Sequence, residues 1–268
     1  MTQQNPAQAR AKIEAMKRQF EQKRQIDESL SGIKNKIGVY SGKGGVGKTT
    51  VSINLATTLA NQGASVGILD IDIDCPNVVR AMNLSQQPLL GDDKKMVPPE
   101  KFGVRVMSMA FFQENEDEAI IWRGPMIHNA INQMLQSTNW DTLDYLIIDL
   151  PPGTSDAPLT IMQTLTMDGF IVVTTPQSLA KIDAKRSINM VKKLQVNVLG
   201  VVENMSGGMF GTGGGEEISK ELNIDFLGSL TMKADYQDMS RPTVLLSNEI
   251  LDEYKIISEK IINSLDNN

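Results

Sequence analysis

Residues Gly42-Lys43-Gly44-Gly45-Val46-Gly47-Lys48-Thr49 follow the pattern G-x-x-x-x-G-K-[ST]. An apolar run, Ile37-Gly38-Val39-Tyr40, precedes them, and a helical pattern at Val51, Ile53, Leu55, Ala56 and Leu59 follows. A strand, a glycine-rich loop and a helix in that order make a phosphate-binding P-loop and commit the chain to an α/β fold. The glycines let backbone N–H groups turn inward around phosphate oxygens. The helix N-terminus adds partial positive charge. Lys48 is placed to reach the β- and γ-phosphates, and the Thr49 hydroxyl to bind Mg²⁺. The nucleotide-binding stretch is therefore Gly42, Lys43, Gly44, Gly45, Val46, Gly47, Lys48, Thr49 and Thr50. Lys43 is additional to the pattern. It can contact the phosphates of its own chain or those of a facing chain.

Beyond Lys36, short apolar runs alternate with helical patterns. Strands are expected at 66–71, 104–110, 145–150, 169–174 and 198–203, with helices near 125–137, 156–166 and 178–194. This alternation predicts a mostly parallel, twisted sheet with helices on both faces. Ligands of such sheets bind outside the C-terminal strand ends, where the P-loop, Asp70, Asp72, Asp149 and Asn204 can converge. Asp70-Ile71-Asp72-Ile73-Asp74 ends the second strand. Its carboxylates can orient a water or contact a metal shell, and Asp74 reads as a loop cap. Asp149 ends the apolar run Leu146-Ile147-Ile148, where a carboxylate can hold Mg²⁺ through water. Pro151-Pro152-Gly153-Thr154 then reads as a switch segment. Gly153 could bring its N–H to a γ-phosphate.

With these segments in place, the chain resembles the Mrp family of P-loop ATPases, relatives of MinD, ParA and nitrogenase iron protein. The matching stretches are Ser41–Thr50, Trp122–Pro125, Leu143–Thr154, Thr174–Gln177 and Glu203–Ser206. The resemblance implies a deviant Walker A fold and a slow, switch-like, Mg²⁺-dependent ATPase. It implies that Lys43, the signature lysine, acts across an ATP-sandwich dimer beside Lys48. It further implies that Asp72 positions the attacking water, that Asp149 joins Thr49 in the metal shell, and that Asn204 reads adenine. Family members carry a 4Fe–4S cluster between two subunits and deliver it to apoproteins. The resemblance therefore implies ATP, Mg²⁺ and a cluster as cofactors, and apoproteins as clients.

The chain departs from the family at one place. A Cys-x-x-Cys loop is expected after Glu203-Asn-Met-Ser206, but Gly207-Gly208-Met209 stands there, followed by Phe210-Gly-Thr-Gly-Gly-Gly215. Cys75 is the single cysteine, so no intramolecular disulfide can form and a symmetric dimer has two thiols. A 4Fe–4S cluster needs about four thiolates. Direct cluster binding at the family's site is therefore not expected. Either a homodimer works as an adaptor, or a cysteine-bearing paralogue in a heterodimer supplies the ligands. Cys75 itself reads as a small packed hydrophobe, and Met107, Met109 and Met205 as core fillers.

Charge bears on the alternatives. Residues 1–36 hold eight Lys/Arg against four acids, and the remaining 18 basic and 28 acidic residues leave that body at −10. An acidic body gives no footprint for non-specific nucleic-acid binding. The sequence divides into a polar, basic, partly helical leader (1–32), with a sparse stripe at Ile13, Met16, Phe20 and Leu30, and a P-loop ATPase domain (33–268). The competing reading is a MinD- or ParA-like positioning ATPase. Its membrane helix would be basic. The C-terminal stripe Ile250, Tyr254, Ile257, Ile261 and Leu265 is flanked by five acids and two lysines, so it is expected to pack on the sheet. No apolar run approaches a membrane span and no secretory signal is read, which predicts a cytoplasmic protein without membrane or nucleic-acid partners.

Overall fold

The leader begins with α1 (Pro6–Ser29) in a computed structural model that describes residues 6–113, 124–154 and 156–267. Ile13, Met16 and Phe20 are exposed on this helix, whereas Ile26 and Leu30 are fully packed. The Ser29 hydroxyl donates to the Leu135 carbonyl at 3.0 Å, which pins the end of α1.

The P-loop unit follows as β1 (Ile33–Tyr40), the loop, and α2 (Lys48–Asn61). Next come β2 (Val66–Asp70), α3 (Val78–Ala81), a small hairpin of β3 (Leu89–Leu90) and β4 (Met96–Val97), β5 (Glu100–Lys101) and β6 (Val104–Ser108). The chain continues through α4 (Gly124–Ser137), β7 (Leu143–Asp149), α5 (Asp156–Thr164), β8 (Gly169–Thr174) and α6 (Ser178–Lys193). It ends with β9 (Val198–Ser206), α7 (Gly214–Leu222), β10 (Phe226–Thr231) and α8 (Asn248–Asp266).

The main sheet has the order β10-β9-β8-β1-β7-β2-β6-β5 and is parallel except at the β5–β6 edge. Its central strands are buried on both faces, as parallel strands covered by helices must be. Alternate residues serve opposite layers. Ile37, Val39, Ile68 and Ile147 pack with Val51, Leu55 and Leu59 of α2 and with Ile250, Tyr254 and Ile257 of α8. Tyr40, Leu69, Leu146 and Ile148 pack with Ile26, Met134, Leu135 and Ile161 of α1, α4 and α5. The two-residue period of a strand thus distributes one apolar run to two cores.

The expected alternation is realised, with local differences. The third predicted strand stops at Ser108, whose hydroxyl accepts from the Ala110 N–H and starts a 3-10 turn. β9 runs on to Ser206. The glycine-rich stretch 207–215 is loop only in part, because Gly208–Phe210 form a 3-10 turn and Gly214-Gly215 open α7. The stripe of α8 packs inward as predicted, with Ile250, Tyr254, Ile257 and Ile261 buried. Among the described residues no helix is long and apolar enough to cross a membrane.

Candidate active site

Register places the chemistry. β7 lies between β1 and β2, and Asp149 is the lateral partner of both Val39 and Asp70. The P-loop leaving β1 and the acidic segment leaving β2 therefore flank the carboxylate that ends β7, at the carboxyl edge of the sheet where α/β clefts open.

Gly47 caps α2 in the left-handed region, at φ 81°. A Cβ on Gly47 would also lie 2.2 Å from the Asn204 side-chain nitrogen, so no other residue fits this turn. Lys48 begins the helix and is only 6% exposed. Its ammonium lies 2.8 Å from Asp149 Oδ1 and 3.7 Å from Asp72 Oδ2. Asp149 also accepts from Thr49 Oγ1 and from Ser52 Oγ, each at 2.7 Å. Hydrogen bonds and one ion pair thus balance a carboxylate fully closed to water. Thr49 Oγ1 and Asp149 Oδ2 are hard oxygen donors at one point beside the phosphate loop. They suit Mg²⁺, which takes one or two protein oxygens and completes its shell from phosphates and water. Among the described residues no group of three or more His, Cys, Asp or Glu could hold a metal by itself.

The acidic segment after β2 is folded by its own carboxylates. Asp70 accepts from the Val78 N–H at 3.1 Å, the Ser108 hydroxyl at 2.9 Å and the Asp72 N–H at 3.2 Å. Burial first, and the Asp149 charge second, push Asp70 up to about 8. Burial also raises Asp72, against the pull of Lys48. Asp72 Oδ1 accepts from the Cys75 N–H at 3.3 Å. The loop caps are thus Asp70 and Asp72, while Asp74, expected to cap, stands exposed on the rim. Cys75 is exposed rather than packed, because this loop lies on the open edge of the sheet instead of under a helix.

Two cavities meet at Gly47 and Thr50. The first, about 810 Å³, is bounded by Lys43, Lys48, Thr49, Asp72, Cys75 and Pro152. The second, about 660 Å³, is lined by Asn204, Met205, Met232, Tyr236, Arg241 and Pro242. Asn204 is nearly buried and donates to the Val46 carbonyl at 2.8 Å, which ties the second cavity to the P-loop. Met205, expected in the core, lines this cavity, whereas Met107 and Met109 are buried as expected. The residues from 232 to 242 carried no sequence signal, since no motif links the segment after β10 to a loop near residue 47. Trp122 and Arg123 of the Trp-Arg-Gly-Pro stretch lie outside the described residues.

A ParA family model, described as NUBPL iron-transfer P-loop NTPase, matches residues 32–265. The chain is 41% identical over 261 residues to an iron-sulfur cluster carrier protein of Methanocaldococcus jannaschii, covering 92% of this chain and 90% of that one. A solved nucleotide-binding protein in complex with ADP from Archaeoglobus fulgidus superposes with TM-score 0.71 at 35% identity, covering 82% of this chain and 91% of that one. The cell division ATPase MinD of Pyrococcus furiosus superposes with TM-score 0.67 at 18% identity over 85% of this chain and 98% of that one, a likeness of fold alone.

Proposed function

Since the chain belongs to the NUBPL iron-transfer P-loop NTPase family, we propose that it is an ATP-driven switch serving iron–sulfur cluster assembly or transfer to apoproteins. The observation that carries the nucleotide half is the convergence of Lys48, Thr49 and Asp149 under the phosphate loop. On binding, the Lys48 ammonium moves from Asp149 and Asp72 to the β- and γ-phosphates. Bound Mg²⁺ would neutralise developing phosphate charge from between Thr49 and Asp149. Asp72, freed of Lys48, orients the attacking water. Asn204 reads the base from the second cavity. Lys43, half-buried on the phosphate cavity, reaches the phosphates of a facing copy in a dimer. Phosphoryl transfer here is positioning and charge stabilisation, which fits slow, switch-like turnover.

The iron–sulfur half rests on kinship with carriers of that name. One thiol per chain supplies two per symmetric dimer, against about four for a 4Fe–4S cluster. Cys75 lies at the phosphate cavity, away from Gly207–Gly215 where the family's thiols would stand. The chain therefore acts as an adaptor, or pairs with a cysteine-bearing paralogue. Anaerobic reconstitution tests this, with iron counted for the protein alone and mixed with such a paralogue. No stable iron on the protein alone is expected, and stable iron in the mixture selects the heterodimer over the adaptor. A full cluster on the isolated protein that is lost in Cys75→Ser would contradict it. The membrane-positioning alternative is disfavoured by α8, whose apolar stripe is spent on β10 and α2.

A further inference from the structure

The Tyr40 side chain is used by none of the roles above. It ends β1, immediately before the P-loop, and is completely buried. Its hydroxyl donates to the Gly153 carbonyl in the switch segment after β7. The Gly153 N–H donates to the Ser41 carbonyl at 2.9 Å. Both backbone polar groups of one glycine are therefore held by two consecutive residues at the mouth of the P-loop. Gly153 sits at φ 87°, a conformation open to glycine and strained for other residues. The contact extends the β1–β7 pairing past the sheet, since the Leu150 N–H already donates to the Val39 carbonyl at 3.2 Å.

We propose that Tyr40 is the positioning residue of a two-point latch that keeps the Gly153 N–H off the γ-phosphate, so that this conformation accepts ADP more readily than ATP. The inference rests on the nucleotide-switch reading and deepens it. The chemistry is simple. An N–H given to the Ser41 carbonyl cannot at the same time be given to a phosphate oxygen. The Gly153 N–H and C=O lie in the two peptide units on either side of its Cα, so carrying the residue toward the phosphate, away from the Ser41 carbonyl, also draws off the carbonyl that Tyr40 holds. A buried hydroxyl that loses its acceptor carries a desolvation cost, and that cost favours the latched state. Burial pushes the Tyr40 phenol up to about 12, with the Ser187 hydroxyl beside it opposing. The phenol thus remains a donor at neutral pH. ADP lacks the γ-phosphate and makes no demand on Gly153, so the latch discriminates between the two nucleotides.

Tyr40→Phe removes one oxygen and keeps the buried ring. Affinities for a non-hydrolysable ATP analogue and for ADP are measured on wild type and variant. The analogue should bind about three- to tenfold tighter to the variant, the worth of one net hydrogen bond, with ADP unchanged. A merely structural tyrosine would shift both nucleotides together. That result, no shift in either, or weaker analogue binding would overturn the latch. Failure of wild type to bind either nucleotide would overturn the proposed function and the latch with it. Hydrogen exchange on the unsubstituted protein probes the same contact. The Gly153 amide should be protected in the nucleotide-free protein, and exchange as fast as that of the exposed Gly45 amide would overturn the proposal.

Discussion

The Lys48 ammonium lies 2.8 Å from Asp149 Oδ1, inside a site where neither side chain meets bulk water. Thr49 and Ser52 point at the same carboxylate. One acid thus organises the lysine and the hydroxyl that a nucleotide and its cation would each claim. Chelation of divalent cations should weaken ATP binding by about tenfold or more in wild type. Asp149→Asn should bind ATP weakly with or without Mg²⁺. Calorimetry in Mg²⁺ and in EDTA checks this, and equal affinities in wild type would remove Thr49 and Asp149 from the metal shell.

Asp72 is 6% exposed and sits 3.7 Å from Lys48. Asp72→Asn should keep ATP affinity within a few-fold and slow hydrolysis about a hundredfold, a typical share for a positioned acid or base. Phosphate release under saturating ATP is the readout. Wild-type turnover would take Asp72 out of the reaction.

Asp70 gives the fold a pH dependence. Its ordinary value is 3.8 and burial lifts it to about 8, so between these limits the folded state holds a proton that the unfolded state has released. Stability from this group is complete below about pH 4 and is lost as pH rises through about 8. The slope reaches at most about 1.4 kcal/mol per pH unit, the figure for one whole proton. Urea unfolding across this range should show the midpoint falling, and Asp70→Asn should flatten the fall. A wild-type midpoint that rises from pH 5 to 8 with the same slope in the variant would refute it.

Legibility in the sequence followed the range of the interactions. The P-loop is one contiguous motif with flanking periodicity, so Lys48 and Thr49 could be placed without a structure. Asp149 was legible because an apolar strand ending in an acid has few other uses. Tyr40 meeting Gly153 across 113 residues was not legible, since Tyr40 looks like an ordinary strand residue and nothing local to the switch glycine names its partner. Glu203 stands in the Glu203–Ser206 stretch and carries no signal of its own. It is fully buried and accepts from the Ser206 hydroxyl and from the Gly213 and Gly215 N–H groups at 2.8, 3.0 and 2.7 Å. That carboxylate at the N-terminus of α7 converts the end of the glycine-rich stretch into helix. Cys75 was misread because side-chain preference for burial says nothing about which edge of a sheet a loop occupies.

Lys43 carries the prediction about assembly. A lysine that serves a facing copy should matter more to closure than to binding by one chain. Sedimentation with a non-hydrolysable ATP analogue should move wild type toward a dimer and leave Lys43→Ala monomeric, with analogue affinity reduced less than about tenfold. An unchanged mass in wild type would argue against a nucleotide sandwich.

The central claim, a nucleotide switch built on Lys48, is tested most directly by titrating ATP with Mg²⁺ into wild type and Lys48→Ala in a calorimeter. Circular dichroism shows whether the variant keeps its fold. Wild type should bind one ATP per chain, and the folded variant should lose about a hundredfold or more in affinity, the cost of removing a charged phosphate contact from a closed site. Equal affinity in a folded Lys48→Ala protein would contradict the account.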